Sequence, residues 1–94
     1  MPCNLFFLYM LQVLSFFQEG CMACMEQEPI TREVAAAHDL PVESINPLKE
    51  KQYIDQYKLR VTPTILILKD GNVVERFEGV VHREQMEEAV RRYL

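Results

Sequence analysis

Several features are scarce in this chain of 94 residues, and each scarcity excludes a class of protein. Basic residues are outnumbered, 10 Lys and Arg against 14 Asp and Glu, and the net charge of −4 argues against nucleic acid or an anionic membrane as a partner. There is no low-complexity tract, internal repeat or long linker. We therefore predict a single domain over residues 1–94, in which residues 1–9 add an extra strand or one helical turn.

Positive charge is absent from the start of the chain. No Lys or Arg occurs before Arg32, so the apolar run at residues 5–17 lacks the basic segment of a secretory signal. The run is also too short to span a bilayer, and Gln12 and Ser15 interrupt it. We interpret it as a buried strand and expect no membrane partner.

Cysteine is sparse. Three residues are an odd number at low density, which argues against a static disulfide framework. Cys21 and Cys24 have the spacing C-x-x-C, and without an export signal this favours a catalytic use in a reducing compartment, which we expect to be the cytoplasm. Cys3 is interpreted as a free thiol in a lightly packed terminus.

The C-x-x-C pair lies between an apolar run and a segment with helical character. At a strand-to-helix junction, two cysteines at this spacing can close a small disulfide ring without unfolding the chain. Cys21 then lies at the helix N-terminus, where unpaired N–H groups and the helix dipole favour a thiolate. This is the chemistry of a redox-active pair.

A zinc site is the alternative for the same cysteines. A structural zinc ion needs four ligands, and only Cys3, His38 and His82 are left to complete the set. None of these three has paired spacing, so we favour redox chemistry and expect neither a metal nor a bound cofactor.

The remaining patterns predict an α/β protein with the order β-α-β-α-β-β-α. Asn46-Pro47 has the character of a helix start, and Asp70-Gly71 that of a tight hairpin. The predicted strands are residues 10–17, 42–45, 64–68 and 73–77, and the predicted helices are residues 22–38, a second starting at 46–47, and 81–94. This order predicts a mixed four-stranded sheet with helices on both faces.

The order, with C-x-x-C after the first strand, resembles the thioredoxin-like family over about residues 10–94. Residues 16–24 look like its strand-loop-active-site segment, and Pro29 falls where thioredoxins place a proline in the first helix. Residues 61–64, Val-Thr-Pro-Thr, look like the loop that carries a cis-proline opposite the disulfide. Residues 69–71 and Gly79 are similar to the hairpin and to the glycine after the last strand.

The resemblance implies a thiol–disulfide oxidoreductase that reduces disulfides in proteins. Cys21 would be the nucleophile that forms a mixed disulfide, and Cys24 would resolve it. Electrons would come from a reductase or from glutathione. Five residues would contact the substrate, with the backbone of Thr62 pairing with it like a strand: Phe17, Gly20, Met22, Thr62 and Pro63.

The sequence departs from the family pattern at residues that matter for proton transfer. Gly20 occupies the usual place of a tryptophan, and the chain has no tryptophan at all. Ser15 and Ser44 occupy the places of a buried aspartate and its lysine neighbour. Our hypothesis is that Glu28, four residues after Cys24 on the same helix face, or a water held by Ser15, deprotonates Cys24. The alternative is that Glu28 is a solvated surface carboxylate.

Local charge indicates the direction of the reaction. Glu19, Glu26 and Glu28 surround the cysteines without a cation nearby in sequence, and negative charge disfavours a thiolate. We therefore expect a reductase, since a strongly stabilised thiolate is what makes an oxidant. Two other functions remain open: a glutaredoxin-like enzyme that uses glutathione, and a non-enzymatic interaction module that dimerises through residues 5–9.

Overall fold

The computed structural model describes residues 11–94. Met10, the predicted first residue of the first strand, lies outside the described residues, as do the extra element at residues 1–9, the Cys3 thiol and the dimerisation segment at residues 5–9. The single domain over residues 1–94 stays a prediction.

Four strands and three helices follow one another in the predicted order. They are β1 (Leu11–Phe16), α1 (Met22–Ala37), β2 (Val42–Ile45), α2 (Gln52–Tyr57), β3 (Thr64–Lys69), β4 (Asn72–Glu78) and α3 (Arg83–Tyr93). Among residues 11–94, none of these helices is long and apolar enough to cross a membrane.

The strands form one mixed sheet in the order β2-β1-β3-β4. β1 runs parallel to β2 and antiparallel to β3, and β3 pairs antiparallel with β4. The two central strands are therefore β1 and β3, which are also the two most buried of the four strands. A central strand is covered on both faces, so it is apolar at consecutive positions rather than at alternate ones.

Helices cover both faces of the sheet, as predicted. Alternate residues of β1 and β3 point to opposite faces: Val13 and Ile67 pack with the buried faces of α1 and α3, whereas Phe16 and Leu66 pack on the side of α2. Each such side chain contributes about 1.5–3 kcal/mol when it is fully buried. Packing on both faces therefore holds the first strand in place. The C-x-x-C segment follows shortly after the end of this strand.

The hairpin between β3 and β4 is a confirmed prediction. Asp70 and Gly71 have φ values of 55° and 81°, so both central residues adopt positive φ as a type I′ turn requires. The tight turn places β4 beside β3 and delivers Gly79 to the same edge of the molecule as the disulfide.

Two predicted helix starts are wrong. Asn46 does not begin α2; its side-chain oxygen accepts the Leu48 N–H at 3.0 Å and its backbone oxygen accepts the Lys49 N–H at 3.0 Å, which closes a separate turn. Helix α2 starts at Gln52, five residues after Pro47, the predicted first helical residue. Helix α3 starts at Arg83 rather than at residue 81, because Val81 is buried and its backbone N–H donates to the side-chain oxygen of Gln27 in α1, and because the N-cap residue His82 is extended.

Candidate active site

The two cysteines of the C-x-x-C segment lie at the N-terminus of α1 and are joined by a disulfide bond. Their Cα atoms are 5.2 Å apart, and Cys21 is the N-cap residue of the helix. The backbone N–H of Cys24 lies 3.1 Å from the Sγ of Cys21. An unpaired helix N–H aimed at this sulfur is the local feature that would stabilise a thiolate there.

Gly20 precedes the disulfide with a φ of 75°. This left-handed conformation is strained for residues with a side chain, although a Cβ atom at this position would meet nothing within 4 Å. Glycine at this position therefore reflects the backbone conformation rather than a lack of space. Its consequence is an open surface directly before Cys21.

The two sulfur-bearing side chains differ in exposure. Cys21 is half-buried, whereas Cys24 is buried, with 6% of its surface exposed. A partner molecule therefore reaches Cys21 first. This difference agrees with the expected roles of Cys21 as nucleophile and Cys24 as the resolving cysteine.

The predicted proline loop lies opposite Cys21. The Thr62–Pro63 peptide bond is cis, as the resemblance implies. Both the backbone oxygen and the Oγ1 atom of Thr62 are 3.9 Å from the Sγ of Cys21. The loop is held in turn by Gly79, whose N–H donates to the backbone oxygen of Pro63 at 2.8 Å.

The other predicted contact residues lie near the two cysteines along the chain, and each is at least partly exposed. Met22 is 78% exposed beside Cys21, Gly20 is exposed, and Phe17 is half-buried. Sequence analysis missed Met25, which follows Cys24 and is 66% exposed. Its signal was available, because a methionine next to an active-site cysteine at the start of a helix has nothing to pack against.

A groove of about 340 Å³ runs along the Cys24 side of the disulfide. It is lined by Phe17, Gln18, Cys24, Met25, Glu28 and Pro29. Glu28 therefore shares a concave surface with the buried cysteine, as the one-turn spacing predicted. Its carboxylate also accepts a hydrogen bond from the Nε of Arg32, whose guanidinium in turn donates to the Ser44 hydroxyl at 3.4 Å.

Ser15 and Ser44 are neighbours in the sheet. They are paired in register on the parallel strands β1 and β2, which agrees with the assignment of both residues to a pair of family positions. Ser15 is 3% exposed, so its hydroxyl lies inside the molecule where the family places a carboxylate. A hydroxyl cannot take a proton at neutral pH, and this raises the importance of Glu28.

Cations lie closer to the site in space than in sequence. The Nζ of Lys49 is 3.5 Å from a carboxylate oxygen of Glu19, and Arg32 pairs with Glu28. The expectation of three carboxylates without a nearby cation is therefore wrong for two of them. The negative field at Cys21 is weaker than the sequence indicated, since exposed pairs of this kind neutralise each other.

A further charged cluster flanks the proline loop. Glu78 precedes Gly79 and accepts hydrogen bonds from Arg60 and Arg76, and these bonds hold the pKa of its carboxyl below the ordinary value. Arg76 also donates to the backbone oxygen of Lys58 at the end of α2. The cluster ties α2 to the end of β4, next to the loop that faces Cys21.

His38, one of the residues considered for a zinc site, lies at the far end of the helix from Cys21. His38 caps the C-terminal end of α1, whereas Cys21 caps its N-terminal end, and a helix of 16 residues is ~24 Å long. The Nε2 of His38 is 2.6 Å from a carboxylate oxygen of Glu87. Within residues 11–94, no group of three or more metal-ligating side chains is close enough to hold an ion.

Gln27 is a buried polar residue that sequence analysis missed. It lies one turn after Cys24 on the inward face of α1 and is 1% exposed. Its side-chain amide donates to the Thr31 hydroxyl at 3.1 Å and accepts the Val81 N–H at 2.8 Å. A glutamine in an otherwise polar stretch gives no sequence signal of burial, because its partners are 4 and 54 residues away.

Comparisons with known proteins agree with this geometry. The family model described as Thioredoxin matches residues 9–92. A thioredoxin of Chlamydia pneumoniae is 32% identical over 77 residues, which are 79% of this chain and 74% of that protein. The chloroplast thioredoxin Y2 of Arabidopsis thaliana is 28% identical over 83% of this chain, and the chain spans about half (48%) of its length. For thioredoxin Y1 of the same plant the share is 44%.

Solved structures show the same fold. A thioredoxin variant from Halobacterium salinarum superposes with a TM-score of 0.86 at 21% identity, over 96% of this chain and 80% of that one. The thioredoxin of Fasciola hepatica superposes with a TM-score of 0.81 at 23% identity, over 92% and 83% of the two chains. Together with the family match over most of its length, this shows that the chain belongs to the thioredoxin family.

Proposed function

We propose that this protein is a thiol–disulfide oxidoreductase of the thioredoxin type, which reduces disulfide bonds in other proteins. The observation that carries the proposal is the placement of Cys21. Its sulfur lies at a helix N-terminus, is partly accessible, is bonded to the deeper Cys24, and faces the Thr62–Pro63 loop at 3.9 Å.

The reaction starts from the reduced dithiol. The Cys21 thiolate attacks one sulfur of a substrate disulfide, so a mixed disulfide forms and the other substrate sulfur leaves as a thiolate that takes a proton. Cys24 loses its proton and attacks the Cys21 sulfur, which restores the Cys21–Cys24 disulfide and releases the second substrate thiol. Two electrons thus pass from the enzyme to the substrate in each cycle.

Glu28 is proposed as the group that takes the proton from Cys24. Its position in the same groove supports this role, and the replacement of the usual buried carboxylate by Ser15 leaves the role open. The hydrogen bond from Arg32 to one oxygen holds the Glu28 carboxylate in place, and its second oxygen can accept a proton. A bridging water is compatible with this arrangement.

The substrate is proposed to be an extended polypeptide segment around a disulfide. The Thr62 backbone offers strand-like pairing beside Cys21, while the open surface at Gly20 gives access. The exposed Met22 side chain and the edge of Phe17 supply apolar contact, and methionine adapts to many partner shapes.

The electron donor is proposed to be either a reductase or glutathione, in a reducing compartment such as the cytoplasm. The spacing of the cysteines supports a reducing environment. Reduction rather than oxidation of substrates is the proposed direction, because three carboxylates, Glu19, Glu26 and Glu28, flank the cysteines, and within residues 11–94 ion pairs balance Glu19 and Glu28 alone.

A turnover assay on a disulfide-linked peptide, with dithiothreitol as reductant, tests the proposal. We expect the wild type to accelerate cleavage and Cys21→Ser to return the rate to that of dithiothreitol alone. Replacing dithiothreitol by a thioredoxin reductase with NADPH, or by glutathione, identifies the donor. Equal rates for the wild type and Cys21→Ser would show that the disulfide is not catalytic.

A further inference from the structure

A chain of hydrogen bonds connects the helix that carries the disulfide to the loop that faces it. Gln27 of α1 accepts the N–H of Val81, and two residues earlier the N–H of Gly79 donates to the oxygen of Pro63. Both bonds are 2.8 Å long. Thr62, which precedes Pro63, faces the Sγ of Cys21, so the connection leads back to the disulfide.

The hydrogen bond between Gln27 and Val81 is buried. Gln27 is 1% exposed and Val81 is 3% exposed, and Val81 directly precedes the N-cap residue of α3. If the amide oxygen were lost, the Val81 N–H would be left unpaired inside the protein, which is unfavourable for a buried donor. The short segment between β4 and α3 would then relax toward another acceptor and carry Gly79 with it.

We propose that Gln27 is a positioning residue that sets the width of the cleft between Cys21 and the Thr62–Pro63 loop. The inference rests on the proposed function for its kinetic consequence, but the structural link stands by itself. Gln27 touches neither the sulfurs nor the substrate. It acts through Val81 and Gly79 on the surface against which a substrate chain is held.

Thr31 provides the matched control. It is as buried as Gln27, and its hydroxyl accepts a hydrogen bond from the nitrogen of the same side-chain amide, whereas the Val81 N–H donates to the oxygen of that amide. The variant Gln27→Met keeps the volume of the side chain and removes both bonds. The variant Thr31→Val removes only the hydrogen bond within α1. The two variants therefore separate the loss of any buried hydrogen bond from the loss of the specific bond between Gln27 and Val81.

Three measurements on the full chain test the proposal. For Gln27→Met we expect kcat/KM for the disulfide-linked peptide to fall roughly tenfold, mainly through KM, because misplacement of a binding surface costs rate without altering the reacting groups. The alkylation rate of reduced Cys21 by iodoacetamide should stay unchanged. The amide hydrogen of Gly79 should exchange faster by roughly tenfold, since the segment opens more often. Thr31→Val should leave all three quantities near wild type.

The structural readout keeps the two proposals apart. If the wild type does not cleave the peptide, the proposed function fails, and Gly79 exchange still decides whether Gln27 holds the loop. Unchanged Gly79 exchange and unchanged KM in Gln27→Met would overturn the inference, as would equal effects of Thr31→Val. If Gln27→Met does not fold, amide hydrogen exchange of the folded wild type replaces the measurements on the variant. Protection of Gly79 and Val81 should then be lost in one opening event, and separate events would overturn the inference.

Discussion

The two sides of the Cys21–Cys24 disulfide are built differently. On the Cys21 side the sulfur is partly accessible and faces backbone and hydroxyl atoms of Thr62 at 3.9 Å. On the Cys24 side the cysteine is buried, and the neighbouring groove is lined in part by Glu28, whose carboxylate pairs with Arg32. In the proposed function, the Cys21 side receives the polypeptide and the Cys24 side handles the proton.

The difference shows how one helix terminus can serve two chemical steps. Residues at the N-cap of a helix are near unpaired N–H groups, whereas residues one turn later face the protein interior. The attacking thiolate is therefore stabilised by the backbone, and the resolving thiol depends on side chains that the groove supplies. Changes on each side should affect different steps.

The largest expected effect comes from removing one sulfur at a time. Cys21→Ser should lose all turnover, because no mixed disulfide can form. Cys24→Ser should still attack, and without a resolving thiol it should accumulate a covalent complex with the target in a one-to-one ratio. Mass spectrometry after mixing with an oxidised peptide measures this. A stable complex with Cys21→Ser instead would reverse the assigned roles.

A smaller effect is expected at the proton acceptor. Glu28→Gln should slow turnover at neutral pH by roughly tenfold. This is less than the ~10²–10⁴-fold rate contribution of a typical general base, because one oxygen of the carboxylate already accepts a hydrogen bond from Arg32. The loss should shrink as the pH rises and Cys24 ionises by itself. Stopped-flow resolution of the mixed disulfide between pH 5 and 9 gives the profile.

Glu26→Gln is the matched control, since this carboxylate lies on the same helix and is exposed. It removes the same charge without touching the groove. Superimposable pH profiles of wild type and Glu28→Gln would exclude Glu28, and an equal shift in Glu26→Gln would indicate a long-range charge effect only.

The smallest effect concerns the cluster behind the proline loop. Hydrogen bonds from Arg60 and Arg76 lower the pKa of Glu78 in the folded state below the ordinary 4.5. A lowered pKa means that the stabilisation is present above that ordinary value and is lost as the pH falls through the folded-state pKa. Glu78→Gln should therefore lower Tm slightly at pH 7, and the Tm difference from wild type should shrink as the pH falls below 4.5. A Tm difference that does not shrink in acid would contradict the electrostatic origin.

Much of the fold was predictable because local chemistry and tertiary packing agree. The central strands are largely apolar, and Asp70-Gly71 adopts positive φ at both residues. The start of α2 was mispredicted because Asn46 can cap either a helix or a single turn, and local sequence does not distinguish them.

The candidate site was predictable to the extent that it depends on spacing. Cys21, Cys24 and the cis-proline could be assigned because each has a fixed place relative to a strand end. Gln27 and the cations near Glu19 could not, since their contacts depend on residues far along the chain. Polar burial is decided by partners, and the partners are known only when the chain is folded.

The most direct test of the whole account is a titration of the Cys21–Cys24 couple against redox buffers, with Cys21→Ser as the control. We expect a reversible two-electron transition with a midpoint potential of roughly −270 mV, which is typical of thioredoxin, and no transition in the control. A midpoint potential of about −120 mV, as in a strong oxidant, would contradict the proposed direction. The absence of any reversible transition would contradict the redox function itself.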